Sequence, residues 1–185
     1  MLSLTDRAYK DFVIGDIFKV HTGSLLPKNE LRAGNVPRIT ASETNNGVIG
    51  TFAPSAHKNY RALTNFISIS FLGGVFYHPY TASLDMKIHA IQIADETPLN
   101  KYSGIFIISA LKNVVSNYSY GDQLSSTDLP KKRVLLPVDR QGNPDWKFMA
   151  DYMKQQEKNI LAKYKTYLAT IERERERESR NDLRS

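Results

Sequence analysis

The stretch that most constrains the fold is "LLPVDRQGNPDWKFMADYM", residues 135–153. A strand-like apolar run over 134–138 meets a turn at 139–142, and a helix start follows. Asn143 is placed to cap that helix, Pro144 to take its first position, and Asp145 to put a carboxylate in the first turn. Helical sequence then continues almost to residue 185. The expected class is therefore α+β: a β-rich body with one packed helix over residues 1–142, and a long C-terminal helix over 143–185 ending in a frayed, charged tip.

Within the body, short runs rich in Val, Ile, Phe and Tyr alternate with turn clusters such as "PKNE", "NNG" and "LGG". This pattern predicts strands at 16–21, 36–40, 48–52, 66–70, 74–77 and 86–93. "NNG", residues 45–47, predicts a tight turn, because Asn and Gly tolerate positive φ. "TPLNKYSGIFIISALKNVV" predicts the packed helix, with Thr97 as its cap and Pro98 at its first position. Gly104 inside it costs about 1 kcal/mol against alanine and is expected to permit close packing on the sheet.

The tail reads differently. Met153, Ile160, Tyr164, Tyr167 and Ile171 follow steps of four and three when Glu157 is counted as a polar member of the seam. That is the a/d pattern of a coiled coil, and so narrow a stripe needs a partner helix. The closing "ERERERE" has no apolar face and places like charges four residues apart, which predicts weak helicity.

Several chemistries lack their residues. There is no cysteine, hence no disulfide framework and no thiolate metal site. His21, His57, His78 and His89 show no metal-ligand spacing, and "FLGG" lacks the spacing and following helix of a dinucleotide loop, so it reads as a hairpin turn. No phosphate loop, no nuclease-like carboxylate cluster and no membrane-length apolar run occurs. The chain is read as non-catalytic, without cofactor or metal, without a membrane partner, and cytoplasmic.

Polar and aromatic side chains gather instead where loops are expected. "PRITASETNNGVIGTF" offers Arg38, Thr40, Ser42, Thr44, Asn45 and Asn46, types able to hydrogen-bond along base edges. Lys58, Tyr60 and Arg61 lie in "AHKNYRA", Tyr77 and Tyr80 in "YHPY", and Tyr118, Tyr120, Lys131, Lys132 and Arg133 in "NYSYGDQLSSTDLPKKR". Lys28 adds a cation after "GSLLP". Basic and aromatic residues mixed in loops suit phosphate and groove contact. Taken singly, each such loop reads more readily as an ordinary polar turn or a tyrosine on a sheet edge; four of them in one small domain point to a binding surface. The net charge of +6 is spread along the chain, residues 1–144 holding 15 basic against 11 acidic side chains, and decides little alone.

The order of these pieces resembles a known family. "FVIGDIFKVHTGSLLPK", "VPRITASETNNGVIG", "ISISFLGGVFYHPYTASLDMKIHAIQI" and "YSYGDQLSSTDLPKKRVLLPV" are similar to successive segments of target-recognition domains from type I restriction–modification specificity subunits. "GNPDWKFMADYM" is similar to the helix start in a subgroup with type IIB-like specificity subunits. The resemblance implies a subunit that reads a short double-stranded DNA sequence and docks a methyltransferase subunit, and in some systems a restriction subunit. Full-length members pair two recognition domains through two antiparallel helices; this chain offers one of each, as a half-subunit or a piece of a longer one. The resemblance therefore implies a homodimer through an antiparallel coiled coil, with Met153, Ile160, Tyr164, Tyr167 and Ile171 at the seam. Other readings are a stand-alone DNA-modifying enzyme and a coiled-coil adaptor that binds protein.

Overall fold

In the computed structural model, residues 1–118 and 121–182 are described, 176–182 as helix backbone only. The strands are β1 (Tyr9–Val13), β2 (Phe18–Thr22), β3 (Ala33–Ile39), β4 (Val48–Phe52), β5 (Ala62–Ser70), β6 (Val75–Leu84), β7 (Ile88–Ile93) and β8 (Arg133–Pro137). Six of them form a mixed sheet in the order β2-β7-β5-β6-β3-β4, and β1 pairs antiparallel with β8 in a separate ribbon. The helices are α1 (Ile14–Ile17), α2 (Lys101–Val115) and α3 (Trp146–Asp182).

Alternation along the strands sorts the core into two. Ile67, Ile69, Ile91 and Ile93 face α2, where Phe106, Ile107 and Leu111 meet them together with Leu136 of β8 and Met149 of α3. The residues of opposite parity, Phe66, Ala82, Leu84, Ile88 and Ala90, join Ile39 in a second cluster. The β5–β6 pairing is irregular near its middle. The register shifts between Thr64 and Phe66, where Asn65 takes φ 55°, and its side chain donates to the Leu99 carbonyl at 2.9 Å. Gly104 behaves as expected: a Cβ there would stand 3.0 Å from the Tyr77 ring, so α2 lies directly on β6.

The "NNG" turn has positive φ at Asn45, Asn46 and Gly47, and "FLGG" closes the β5–β6 hairpin with Gly73 at φ 89°. Other expectations need correction. Residues 16–21 are not one strand, because residues 14–17 form a helical turn, α1, closed by the Phe18 N–H to the Ile14 carbonyl, and β2 begins only at Phe18. The strand expected from residue 86 starts at Ile88, after a turn closed by Ile88 N–H to the Asp85 carbonyl. β1 has no counterpart in the sequence reading: only Phe12 is buried along it, so the alternation that marks a strand is missing. Both helix caps shift toward the C-terminus. Asn100, not Thr97, caps α2 through a reciprocal capping box with Ser103. Asp145, not Asn143, receives the Phe148 N–H at 2.8 Å, because residues 138 and 144 are held in a β-bridge before α3 can start.

The first turns of α3 belong to the core, with Phe148 at 3% and Met149 at 0% exposure. Further along, the Glu157 carboxylate accepts from Lys101 and Tyr102 of α2, and Gln155 exchanges two hydrogen bonds with the Leu2 backbone. From Ile160 onward the helix stands free: Ile160, Leu161, Tyr164, Tyr167 and Leu168 are 40–65% exposed.

The turn between β6 and β7 gathers the loops. Leu84 N–H donates to Arg61, Asp85 N–H to Ile39, Ser24 N–H to Leu84, Gly23 N–H to Ile88 and Phe71 N–H to Lys87. Leu124 N–H then donates to Phe71, attaching the segment after α2. Loops 23–32, 40–47, 53–61 and 71–74 are thus anchored to one short turn.

Two outcomes follow from this packing. A Cβ on Gly23 would lie 1.9 Å from the Asp85 carbonyl oxygen, which is backbone and cannot swing aside. Gly23→Ala should therefore cost about 1–3 kcal/mol in chemical denaturation, the usual penalty of overpacking. His78 is fully buried, sharing hydrogen bonds with Ser68 at 2.8 Å and Tyr80 at 3.1 Å, and burial pushes its pKa from 6.5 down to about 4. Between those values the unfolded chain binds a proton that the folded chain refuses. Stability is then complete above pH 6.5 and falls by about 3 kcal/mol as pH drops to 4. Thermal unfolding at pH 7.5 and 5 should show the loss, and His78→Gln should leave a smaller one, since burial also lowers the pKa of His89.

Candidate nucleic-acid interface

The face built on the 84–88 turn carries most of the polar residues singled out in the sequence. Loops 23–32 and 53–61 are bonded to each other: Asn59 donates to the Leu25 carbonyl at 3.0 Å, Ser55 to Glu30 at 2.7 Å, and Ala53 N–H to Arg32. Lys28, Lys58 and Arg61 are exposed on this double loop, and Tyr60 is half-buried between them. The Arg61 guanidinium folds back onto the Lys58 and Tyr60 carbonyls, so it shapes the loop it stands on. Arg32, exposed on the same loop pair, was not singled out, since no aromatic neighbour drew attention to it.

Loop 40–47 flanks this group at the end of β3. Thr40 N–H and its hydroxyl both bond the Gly47 carbonyl, Ser42 bonds Thr44, and Asn45 donates to the Val48 carbonyl at 3.2 Å. Thr44, Asn45 and Asn46 are exposed, whereas Thr40 and Ser42 are partly spent on holding the turn. The left-handed backbone at Asn45 and Asn46 sets the loop's course, so these residues combine turn-forming with an exposed amide.

Arg38 stands apart from its neighbours. It is 3% exposed and donates to Asp85 at 2.7 Å, so in this conformation it braces the turn and offers no edge to a duplex. Arg38 and Ile39 are both buried, across a register shift in the β3–β4 pairing, a fact hidden in the sequence because a buried arginine is rare without its partner in view. Tyr77 also departs from expectation: its ring lies under Gly104 and its hydroxyl donates to Asn65, making it part of the α2 packing. Tyr80 is 38% exposed, with its hydroxyl on His78.

The third group is divided. Lys132 lies over the Tyr118 ring at 5.2 Å, and a hydrogen bond to the Tyr118 side chain holds its pKa above the ordinary value. Lys131 is exposed beside it, and Tyr120 lies outside the described residues. Arg133 has turned the corner onto the β1–β8 ribbon, where it pairs with Asp11 at 2.9 Å and borders an apolar cleft of about 600 Å³ lined by Phe106, Leu135, Tyr152 and Met153. Met153 is thereby committed to its own domain, while Ile160, Tyr164 and Tyr167 are free and Ile171 is half-buried. Leu161 and Leu168 widen that seam; they sit one residue beyond Ile160 and Tyr167 and were overlooked by a strict a/d count. Among the described residues no group of His, Asp and Glu is placed to hold a metal ion, and no helix is long and apolar enough to cross a membrane.

Similarity to known proteins bears on the family and the fold. The specificity subunit S.BcgI of a type II restriction enzyme from Heyndrickxia coagulans is 29% identical over 164 residues, covering 87% of this chain and 47% of that protein. The chain thus spans about half the length of that relative. The HsdS subunit from Thermoanaerobacter tengcongensis superposes on 83% of this chain and 38% of its own, with TM-score 0.56 and 14% identity. The type I restriction–modification S subunit from M. genitalium covers 90% of this chain and 43% of its own, with TM-score 0.57 and 18% identity. At these identities the two structures speak for a shared fold. Residues 7–165 match the family described as the type I restriction modification DNA specificity domain, and the chain belongs to that family.

Proposed function

We propose that this chain is the sequence-reading component of a restriction–modification system, binding a short double-stranded DNA half-site and docking a methyltransferase subunit, and in some assemblies a restriction subunit. The observation that carries this reading is the anchoring of four loops to one turn, with Lys28, Asn29, Asn45, Asn46 and Lys58 exposed on three of them, in a chain of the DNA specificity family. Lys28, Lys58, Lys131 and Lys132 are assigned to phosphates, and Thr44, Asn45 and Asn46 to base edges. The work of the chain is recognition, and chemistry belongs to its partners. Such a function places it inside the cell. Co-purification with a methyltransferase subunit, followed by mapping of methylated sites, tests the reading directly. A complex that methylates without a preferred sequence would end it.

Residues 1–142 then form the reader, and the helix from 143 the spacer. The free seam of α3 pairs antiparallel with the same seam of a second copy, with a two-fold axis between them. Exposed Ile and Tyr at coiled-coil spacing on a helix with no cover support this, as does the release of the helix from its own domain after Asn159. Two-fold symmetry implies inverted half-sites in the target.

Lys28→Ala with Lys58→Ala should lower affinity similarly for specific and random duplexes and reduce the salt slope by about two, since each phosphate contact releases about one counterion. Asn46→Ala should instead change discrimination between duplexes, by a factor of ten or so for a lost base contact. Fluorescence anisotropy across a salt series separates the two. Ile160→Lys with Tyr164→Lys should leave the thermal midpoint nearly unchanged, because both side chains are more than half exposed. Light scattering should then report a monomer where the unaltered chain is a dimer, and a half-site bound more weakly for want of the linked second contact.

A further inference from the structure

We infer that Met86 and Lys87, at the crest of the 84–88 turn, are themselves a reading element, with Met86 against base edges and Lys87 on a phosphate. This rests on the DNA-binding function proposed above. The turn sits where the loops meet. Its backbone bonds Arg61 of loop 53–61, Gly23 and Ser24 of loop 23–32, Ile39 at the mouth of loop 40–47, and Phe71 of the hairpin. A duplex that touches those loops together must pass over the point to which they are tied.

The side chains at the crest have the chemistry for it. Met86 is 47% exposed, an apolar tip on a turn whose backbone is bonded to the loops that bear Lys28, Lys58 and Arg61. A flexible thioether in that position suits the methyl edge of thymine or a partly opened base step. The Lys87 ammonium stands 4.2 Å from the Phe71 ring centroid and forms no ion pair among the described residues. Its stem is positioned while its charge stays available. Below them, Asp85 is already occupied by Arg38, so the turn presents no free carboxylate to repel a phosphate. Its backbone being fixed before contact, the turn itself loses little freedom on binding.

The test uses the full chain, a randomised duplex library for selection, and anisotropy across a potassium chloride series. Met86→Ala should enrich a motif altered at one or two positions, with discrimination there reduced about ten-fold and the salt slope unchanged. Lys87→Ala should enrich the original motif with affinity lowered on all duplexes and a slope smaller by about one. Lys10→Ala, a lysine of the β1–β8 ribbon outside this face, serves as the control and should match the unaltered chain. If Met86→Ala keeps both motif and discrimination, or Lys87→Ala behaves as the control, the inference is overturned. An unaltered chain that enriches no motif, alone or with its methyltransferase subunit, overturns the DNA-reading function and this element with it.

Discussion

Arg38 and Asp85 form the contact on which the loop face depends. A guanidinium that is 3% exposed has lost nearly all its hydration, and only a well-placed acceptor can offset that loss. Asp85 supplies it at 2.7 Å while remaining 28% exposed, so the pair is dry on one side and wet on the other. The bond joins the last residues of β3 to the turn after β6, two segments that meet in parallel register through Arg38 and Ser83. Removing the carboxylate would leave a buried charge without its partner. The β6–β7 turn would then lose its brace, and each loop bonded to that turn would lose its common origin.

The long helix solves a different problem. Its first half is broad-faced and sunk in the domain; its second half carries a narrow seam and stands away from it. Three attachments fix the angle at which it leaves: Arg7 to Asp145 with its guanidinium over the Phe148 ring, Lys101 and Tyr102 to Glu157, and Leu2 to Gln155. Exposed ion pairs contribute little singly. Here they act together on one rigid rod of 37 residues, about 55 Å long, so small angular differences at its base become large displacements at its tip.

Local chemistry made much of this legible. The β4 strand, the Asn-Gly turn, the hairpin glycines and Gly104 beneath α2 all announce themselves through backbone requirements or alternation. Non-local facts stayed hidden. β1 is visible only through β8, 122 residues away at the Asp11–Arg133 contact. Arg38 looked like a reader because its composition suits guanine, and its burial follows from a partner 47 residues distant. The capping shifts from Thr97 to Asn100 and from Asn143 to Asp145 have one cause. Each earlier residue was occupied by a turn or bridge whose bonds outcompeted the helix start. Leu161 and Leu168 were missed because a heptad count treats flanking positions as exterior, though a short seam gains from them.

The N-terminal segment of residues 1–8 packs against α3, and Leu2 is fastened to Gln155 by two hydrogen bonds at 2.9 and 3.2 Å. Met1 therefore emerges within a turn of Ile160, where the free seam begins, and not on the loop face. Whatever is joined ahead of Met1 enters alongside the helix. An affinity tag or fluorescent protein attached there would crowd the seam, while an added helix of suitable polarity could lie in it and convert the proposed association between chains into a fold within one. The entry point of the chain is thus also the place where its valency can be rewritten.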